Sequence, residues 1–219
     1  MRRAVICFTR VPRPGVTKTR LLPVLSPKQC AALHTAFLKD LARVYRELDA
    51  ALFVAYAPAP DWALLKDIFP MASAFFPQTG ESLGERMDAA ICHVLSMGFE
   101  RVILTGTDLP MMGRRHLESG FSALDLSDVV LGPTPDGGYY LVGAKAPCTA
   151  VFEEQQYGGG NVYENTVKAA ERAGLSLGQA LPCGDVDTPE DLRRLVLQAD
   201  PESHTGWFLA ALKKEGHLL

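Results

Sequence analysis

Ala4-Val5-Ile6-Cys7-Phe8 is an unbroken apolar run near the start of the chain, and such a run reads as a strand buried on both faces. Ser26-Pro27-Lys28-Gln29 then signals a helix start, with a capping serine, proline at the first helical position and glutamine at the third. Beyond it Leu33, Phe37, Leu38, Leu41, Val44, Tyr45 and Leu48 recur at helical spacing and predict one buried face. Ala51 to Tyr56 reads as a second strand, residues 61 to 69 as a short helix ended by Pro70, and Ala72 to Phe76 as a third strand. Ser82-Leu83-Gly84-Glu85 has the form of a capping box, opening a helix whose stripe is Leu83, Met87, Ala90, Ile91, Val94 and Leu95. Arg101 to Thr105 follows as a strand, then a helix over 114 to 124, a strand over Asp128 to Leu131 and another over Tyr139 to Val142. Helices are expected from about Asn161 to Ala173, after Thr188 to about Gln198, and near 205 to 215.

Strand and helix alternate through the first 131 residues, which predicts an α/β fold: a mainly parallel sheet between two helical layers. The less regular second half predicts a hairpin or a strand of opposite direction. A length of 219 residues suits a single domain over 1–219, with a sizeable core. The net charge of −3 argues against a nucleic-acid binder held by bulk electrostatics. The five cysteines are scattered and never spaced as Cys-x-x-Cys, so neither a disulfide framework nor a zinc site is expected. Met1-Arg2-Arg3 precedes too few apolar residues for a leader, and no run approaches membrane-spanning length; the expectation is a cytoplasmic protein. Nothing in the pattern speaks to oligomeric state.

Against this background the loop after the first strand stands out. It combines Pro12, Pro14 and Gly15, which forbid regular structure, with Arg10, Arg13, Lys18 and Arg20. A rigid cationic loop at the carboxyl end of a strand lies where open α/β sheets bind ligands. Lys18 suits a phosphate as a point charge and Arg20 as a two-pronged donor, so the loop from Arg10 through Gly15, Lys18, Thr19 and Arg20 is expected to hold nucleotide phosphates. It is neither a Walker A loop nor a dinucleotide fingerprint, so side chains would carry the binding.

Acidic groups should meet this loop. Asp108 directly follows a buried strand, between Gly106 and Pro110. It is either a turn aspartate bonded to its own backbone or a ligand of Mg²⁺ or Mn²⁺, the hard cations that let carboxylates and phosphates share a site. Thr188-Pro189-Glu190-Asp191 is a helix start that explains Glu190 and Asp191, leaving Asp187, with Asp185 beside it, able to reach a metal. Asp136-Gly137-Gly138 reads as a hairpin turn or as bare backbone for a sugar or acceptor, and Glu85 and Arg86 as cap residues or as groups facing the cleft. The five histidines (34, 93, 116, 204 and 217) show no ligand spacing.

Pro-x-Pro-Gly-x-x-Lys-Thr-Arg-Leu (12 to 21), Gly-x-x-Leu-Gly-Glu-Arg-Met (80 to 87), Gly-x-Asp-x-Pro (106 to 110), Gly-Pro-x-x-Asp-Gly-Gly-Tyr-Tyr-Leu-x-Gly (132 to 143) and Asp-Val-Asp-Thr-Pro-Glu-Asp-Leu (185 to 192) occur in this order. Together they resemble an uncharacterised bacterial family of predicted glycosyltransferases, the radical-SAM/selenodomain-associated transferases, within the nucleotide-diphospho-sugar transferase superfamily. The resemblance implies a three-layer GT-A-like fold, phosphate binding through Lys18 and Arg20, and metal ligation by Asp108 and Asp187. Arg10 stands where that family usually has Lys, and Tyr157-Gly158-Gly159 where it often has Trp-Ser/Thr. Two activities follow as expectations: glycosyl transfer from a nucleotide-activated sugar, with Asp136 or Glu85 orienting sugar or acceptor, and nucleotidyl transfer to a phosphorylated acceptor. The second rests on the similarity of the cationic loop to those of such enzymes, including the guanylyltransferase of deazaflavin-cofactor biosynthesis. A nucleotide-binding module without catalysis is the third reading. The enzyme readings expect Lys18→Ala and Asp108→Asn to abolish binding or turnover while leaving the melting temperature within a few degrees.

Overall fold

A computed structural model describes residues 2–153 and 155–216; Met1 and His217 lie outside them. Seven strands form one sheet, β1 (Arg3–Thr9), β2 (Ala51–Tyr56), β3 (Ala74–Pro77), β4 (Arg101–Thr105), β5 (Val129–Pro133), β6 (Tyr139–Ala144) and β7 (Leu177–Gln179), in the order β3-β2-β1-β4-β6-β5-β7. β1 pairs in parallel with both β2 and β4, and β2 with β3. β6 alone runs against its neighbours β4 and β5, while β7 is parallel to β5. The mixed second half expected from the sequence is therefore the β5–β6 hairpin. The carboxyl ends of β1 to β5 and β7, and the start of β6, all share one edge of the sheet.

Among the described residues seven α-helices accompany the strands: α1 (Pro27–Arg46), α2 (Leu64–Ile68), α3 (Leu83–Ser96), α4 (Arg114–Leu126), α5 (Val162–Arg172), α6 (Pro189–Gln198) and α7 (His204–Lys214). Successive residues of β1 serve opposite faces, as a doubly covered strand requires. Val5 and Cys7 pack with Leu38 and Leu41 of α1, Phe69 after α2 and Phe121 of α4, whereas Ala4 and Ile6 pack with Ile91 of α3 and Phe152 and Ala170 on the other face. A third cluster joins Leu33 and Phe37 of α1 to Leu192, Leu195, Leu209 and Leu212 of α6 and α7. Helix α1 thus buries two sides, against the one expected, because α6 and α7 cover its outer surface. No helix among the described residues is long and apolar enough to cross a membrane.

The capping signals divide. Ser26 and Gln29 form the reciprocal box at α1, and Thr188 and Asp191 do so at α6. At α3 the Ser82 side chain accepts from the Glu85 amide, but the Glu85 carboxylate accepts from the amide of Glu81 at 2.8 Å, so the expected box is shifted by one residue. Strand β7 has no counterpart in the expectations. After it the chain returns over the sheet edge, with Cys183 N–H bonding the Pro133 carbonyl (3.2 Å) and Val186 N–H the Asp108 carbonyl (2.9 Å). That return path brings Asp187 to the loop after β4.

Candidate active site

The loop after β1 turns into a single 3₁₀ turn, Thr19–Leu21, with Lys18 at its start in the left-handed region (φ 55°). This turn tucks the Lys18 side chain inward until 2% of it is exposed. Its ammonium lies 2.7 Å from Asp108 Oδ1 and 3.4 Å from Asp187 Oδ1, and it donates to the Val186 carbonyl. Arg20, 70% exposed, reaches the other oxygen of Asp187 at 3.2 Å. Two loops that meet only in the fold are thus joined by one buried cation. Burial would push the Asp108 carboxyl upward, but the charge and hydrogen bond of Lys18, with smaller help from His34 and Asp187, outweigh it and hold it below the ordinary value.

Beneath this cluster His34 of α1 is buried, with Nε2 3.4 Å from Thr107 Oγ1 and no partner for Nδ1. Burial, aided by Lys18 and Arg10 and opposed by Asp108, pushes its pKa down to about 4, so the ring is neutral at pH 7. Thr107 Oγ1 also lies 3.4 Å from Thr9 Oγ1, tying the ends of β1 and β4.

Two clefts among the described residues adjoin this cluster. The first, about 450 Å³, is lined by Arg10, Lys18, Thr19, Arg20, Asp108 and Asp187 at one end and by Phe8, Gln78, Leu83 and Arg86 at the other. The second, about 720 Å³, contains Arg115, Arg194, Asp136 and Asp185. Arg20 and Asp187 line both. In the second cleft Asp185 is pushed up to about 6, first by burial and then by the charges of Asp187 and Asp136. Carboxylates crowded in this way form a hard-oxygen donor set that a divalent cation would neutralise. Among the described residues no set of three or more His, Cys, Asp or Glu side chains is arranged to hold a metal. Two carboxylates completed by substrate phosphates and water suffice for Mg²⁺ at nucleotide sites; Asp108 and Asp187 are the two carboxylates of the first cleft, and each keeps a third or more of its side chain exposed beside the Lys18 ammonium.

The structure therefore brings Arg10, Lys18, Thr19, Arg20, Arg86, Asp108 and Asp187 to one cleft, and Asp136 to its neighbour. Four expected residues serve otherwise. Gly15 (φ 76°) makes a turn away from the cleft, and Glu85 closes the start of α3. Gly137 and Gly138 line neither cleft: the Asp136 carboxylate accepts from the Gly138 amide at 3.1 Å, a hairpin-turn contact. Lys18, expected on phosphate, spends its ammonium on carboxylates and a carbonyl. Sequence reasoning missed His34, which sits among apolar helix positions and reads as core. It also missed Gln78, although Gln78 follows a strand just as Asp108 nearly does.

A family model described as an uncharacterized protein conserved in bacteria (DUF2064) matches residues 40–159. The 2-phospho-L-lactate guanylyltransferase of Methanothermobacter thermautotrophicus is 26% identical over 201 residues, 90% of this chain and 85% of that protein. The phosphoenolpyruvate guanylyltransferase of Sphaerobacter thermophilus is 25% identical over 197 residues, 87% of this chain and 92% of that protein. A crystal structure from Desulfovibrio desulfuricans G20, described as a candidate nucleotide-diphospho-sugar transferase, is similar over 100% of both chains at 31% identity with a TM-score of 0.88.

Proposed function

This chain belongs to the bacterial family DUF2064, and from that premise we propose that it is a nucleotidyltransferase joining a nucleoside monophosphate, guanylate by likeness to its relatives, to a phosphorylated acceptor. Within that family the motifs favour the radical-SAM/selenodomain-associated branch. The chain is a transferase, as its guanylyltransferase relatives and its structural likeness to a sugar-nucleotide transferase agree. The observation that carries the nucleotidyl reading is the pair of clefts sharing Arg20 and Asp187 as a common wall. A triphosphate in the first and an acceptor in the second would meet there.

In this reading Arg10, Thr19 and Arg20 hold the triphosphate, and Lys18 fixes Asp108 and Asp187 in place beside it. The acceptor phosphate, drawn in by Arg115 and Arg194, presents an oxygen to the α-phosphorus. A bond forms between them, the bond to the bridging oxygen breaks, and pyrophosphate leaves with its charge balanced by Arg20. A phosphate monoester is already anionic at neutral pH, so no general base is required. His34, a neutral ring on the wall of the first cleft, is not needed as a base in this step. Asp108 and Asp187 would hold Mg²⁺ or Mn²⁺, which supplies charge neutralisation and polarises phosphoryl oxygens. We place the enzyme in the cytoplasm, where its triphosphate substrate is made.

Glycosyl transfer is the second reading, favoured by the likeness to the Desulfovibrio structure. A pyrophosphate-release assay separates the two, run with GTP and Mg²⁺ and with 2-phospho-L-lactate or phosphoenolpyruvate, the compounds named for the two relatives. Acceptor-dependent pyrophosphate is the expected result. Release of a nucleoside diphosphate from a sugar nucleotide, with no pyrophosphate from any triphosphate, would overturn the first reading.

A further inference from the structure

The phosphate end of the first cleft explains Lys18, Arg20, Asp108 and Asp187, but not the opposite end. There Gln78, at the exit of β3, is 8% exposed and still lines the cleft. Its Nε2 donates to the Thr9 carbonyl at 3.1 Å and to the Ala55 carbonyl at 3.0 Å, which uses both hydrogens of the amide. Two carbonyl acceptors on one side leave no choice of amide orientation, because a flipped amide would set oxygen against oxygen. Oε1 is then the acceptor that Gln78 has to offer the cleft, and no hydrogen-bond partner for it is found within the described residues. A strap across β1 and β2 accounts for the donors. It gives no reason for a bare acceptor fixed against a cleft.

Arg86 supplies the complement. Its Nε donates to the Gly80 carbonyl at 2.9 Å, which anchors the guanidinium two residues beyond Gln78 and leaves its terminal nitrogens as donors on the same cleft. Phe8, Ala57 and the half-exposed Leu83 add apolar surface to the same cleft, suited to a flat ring.

We propose that Gln78 and Arg86 read the base of the nucleotide and select a keto base, guanine or uracil, over an amino base. This deepens the nucleotidyl reading and rests on it. A fixed acceptor beside a fixed donor matches an N–H next to a C=O, as in N1–H and O6 of guanine or N3–H and O4 of uracil. Adenine and cytosine present the reverse, an amino donor toward Arg86 and an unprotonated ring nitrogen toward Gln78 Oε1. Each mismatch leaves a desolvated polar group unpaired, which is the source of strong discrimination in sites of this kind.

The test is equilibrium binding of GTP, ITP, UTP, ATP and CTP to the full chain with Mg²⁺, by calorimetry. ITP, which keeps O6 and N1–H but lacks the 2-amino group, should bind within about threefold of GTP, and ATP and CTP at least about tenfold more weakly than GTP. Arg86→Ala should bring GTP and ATP to within about threefold of one another. Equal binding of all five nucleotides overturns this inference while leaving nucleotidyl transfer intact. An unaltered GTP preference in Arg86→Ala, or loss of ITP binding with GTP retained, also overturns it. Binding of none overturns both.

Discussion

Lys18 occupies a backbone conformation that costs a non-glycine residue on the order of 1–3 kcal/mol, and the strain is held by what its side chain does. Its ammonium is the buried centre of a three-residue cluster, whereas Asp108 and Asp187 keep 41% and 34% of their side chains in contact with solvent. Removing the lysine leaves two carboxylates facing each other, but both retain water. Lys18→Ala should therefore cost about 2 kcal/mol, less than a fully buried pair. That is roughly 4–8 °C in melting temperature for a domain of this size. Asp108→Asn should cost far less, because the amide still accepts from Lys18. Differential scanning calorimetry of both variants checks this, and equal small shifts would contradict it. The sequence alone suggests equal small shifts, since it shows the charge of Lys18 but not its burial.

His34 sets a second test at this scale. Its folded pKa of about 4 lies below the ordinary 6.5, so protons bind preferentially to the unfolded chain. At pH 7 the folded ring is neutral and the unfolded one mostly so, and the residue contributes little to pH dependence. As pH falls from about 6.5 to about 4, about 3 kcal/mol of stability is lost. Asp185, raised to about 6, works in the opposite sense over that window, because it must ionise against its surroundings as pH rises. Comparing chemical denaturation of wild type and His34→Gln at each pH isolates the histidine. The difference should swing toward the variant on acidification, and a constant difference would show that His34 titrates normally.

At the scale of elements, the site depends on the β5–β6 hairpin and on the return of the chain after β7. Gly137 joins the hairpin turn to the segment before α5, its carbonyl accepting from the Tyr163 amide at 2.9 Å. Its φ is 84°, and a Cβ there would lie 1.9 Å from the Gly160 carbonyl oxygen. Gly137→Ala should destabilise the fold by about 2 kcal/mol or more, through backbone strain and displacement of the segment before α5. Thermal unfolding measures it, and a loss below about 0.5 kcal/mol would mean that this packing is loose. The sequence made the turn legible through Asp136-Gly137-Gly138, but the packing against Gly160 was not, because it joins segments distant along the chain. Most strands and helices were legible in the same way, through unbroken apolar runs and capping serines or threonines. Strand β7 was hidden because Leu177-Gly178-Gln179 is too short to show alternation and takes its pairing from Val129, Val130 and Leu131. The second buried side of α1 was hidden because α6 and α7 supply it from the far end of the chain.

At the scale of the whole molecule, the fold gathers one edge of a seven-stranded sheet into two clefts meeting at Arg20 and Asp187. The meeting of the cationic loop with Asp108 was legible, since a loop after one buried strand and an aspartate after another converge whenever those strands are parallel neighbours, as β1 and β4 are. The placement of Gln78 was not, because it depends on two carbonyls of other strands. The most direct test of nucleotidyl transfer across the shared wall is to follow the label from GTP carrying ³²P at the α or at the γ position, with Mg²⁺ and a phosphorylated acceptor. The α label should pass into a new product on the acceptor and the γ label should leave in pyrophosphate, with Asp108→Asn abolishing both. Retention of the α label in guanosine nucleotides alone, with every acceptor unchanged, would contradict the account.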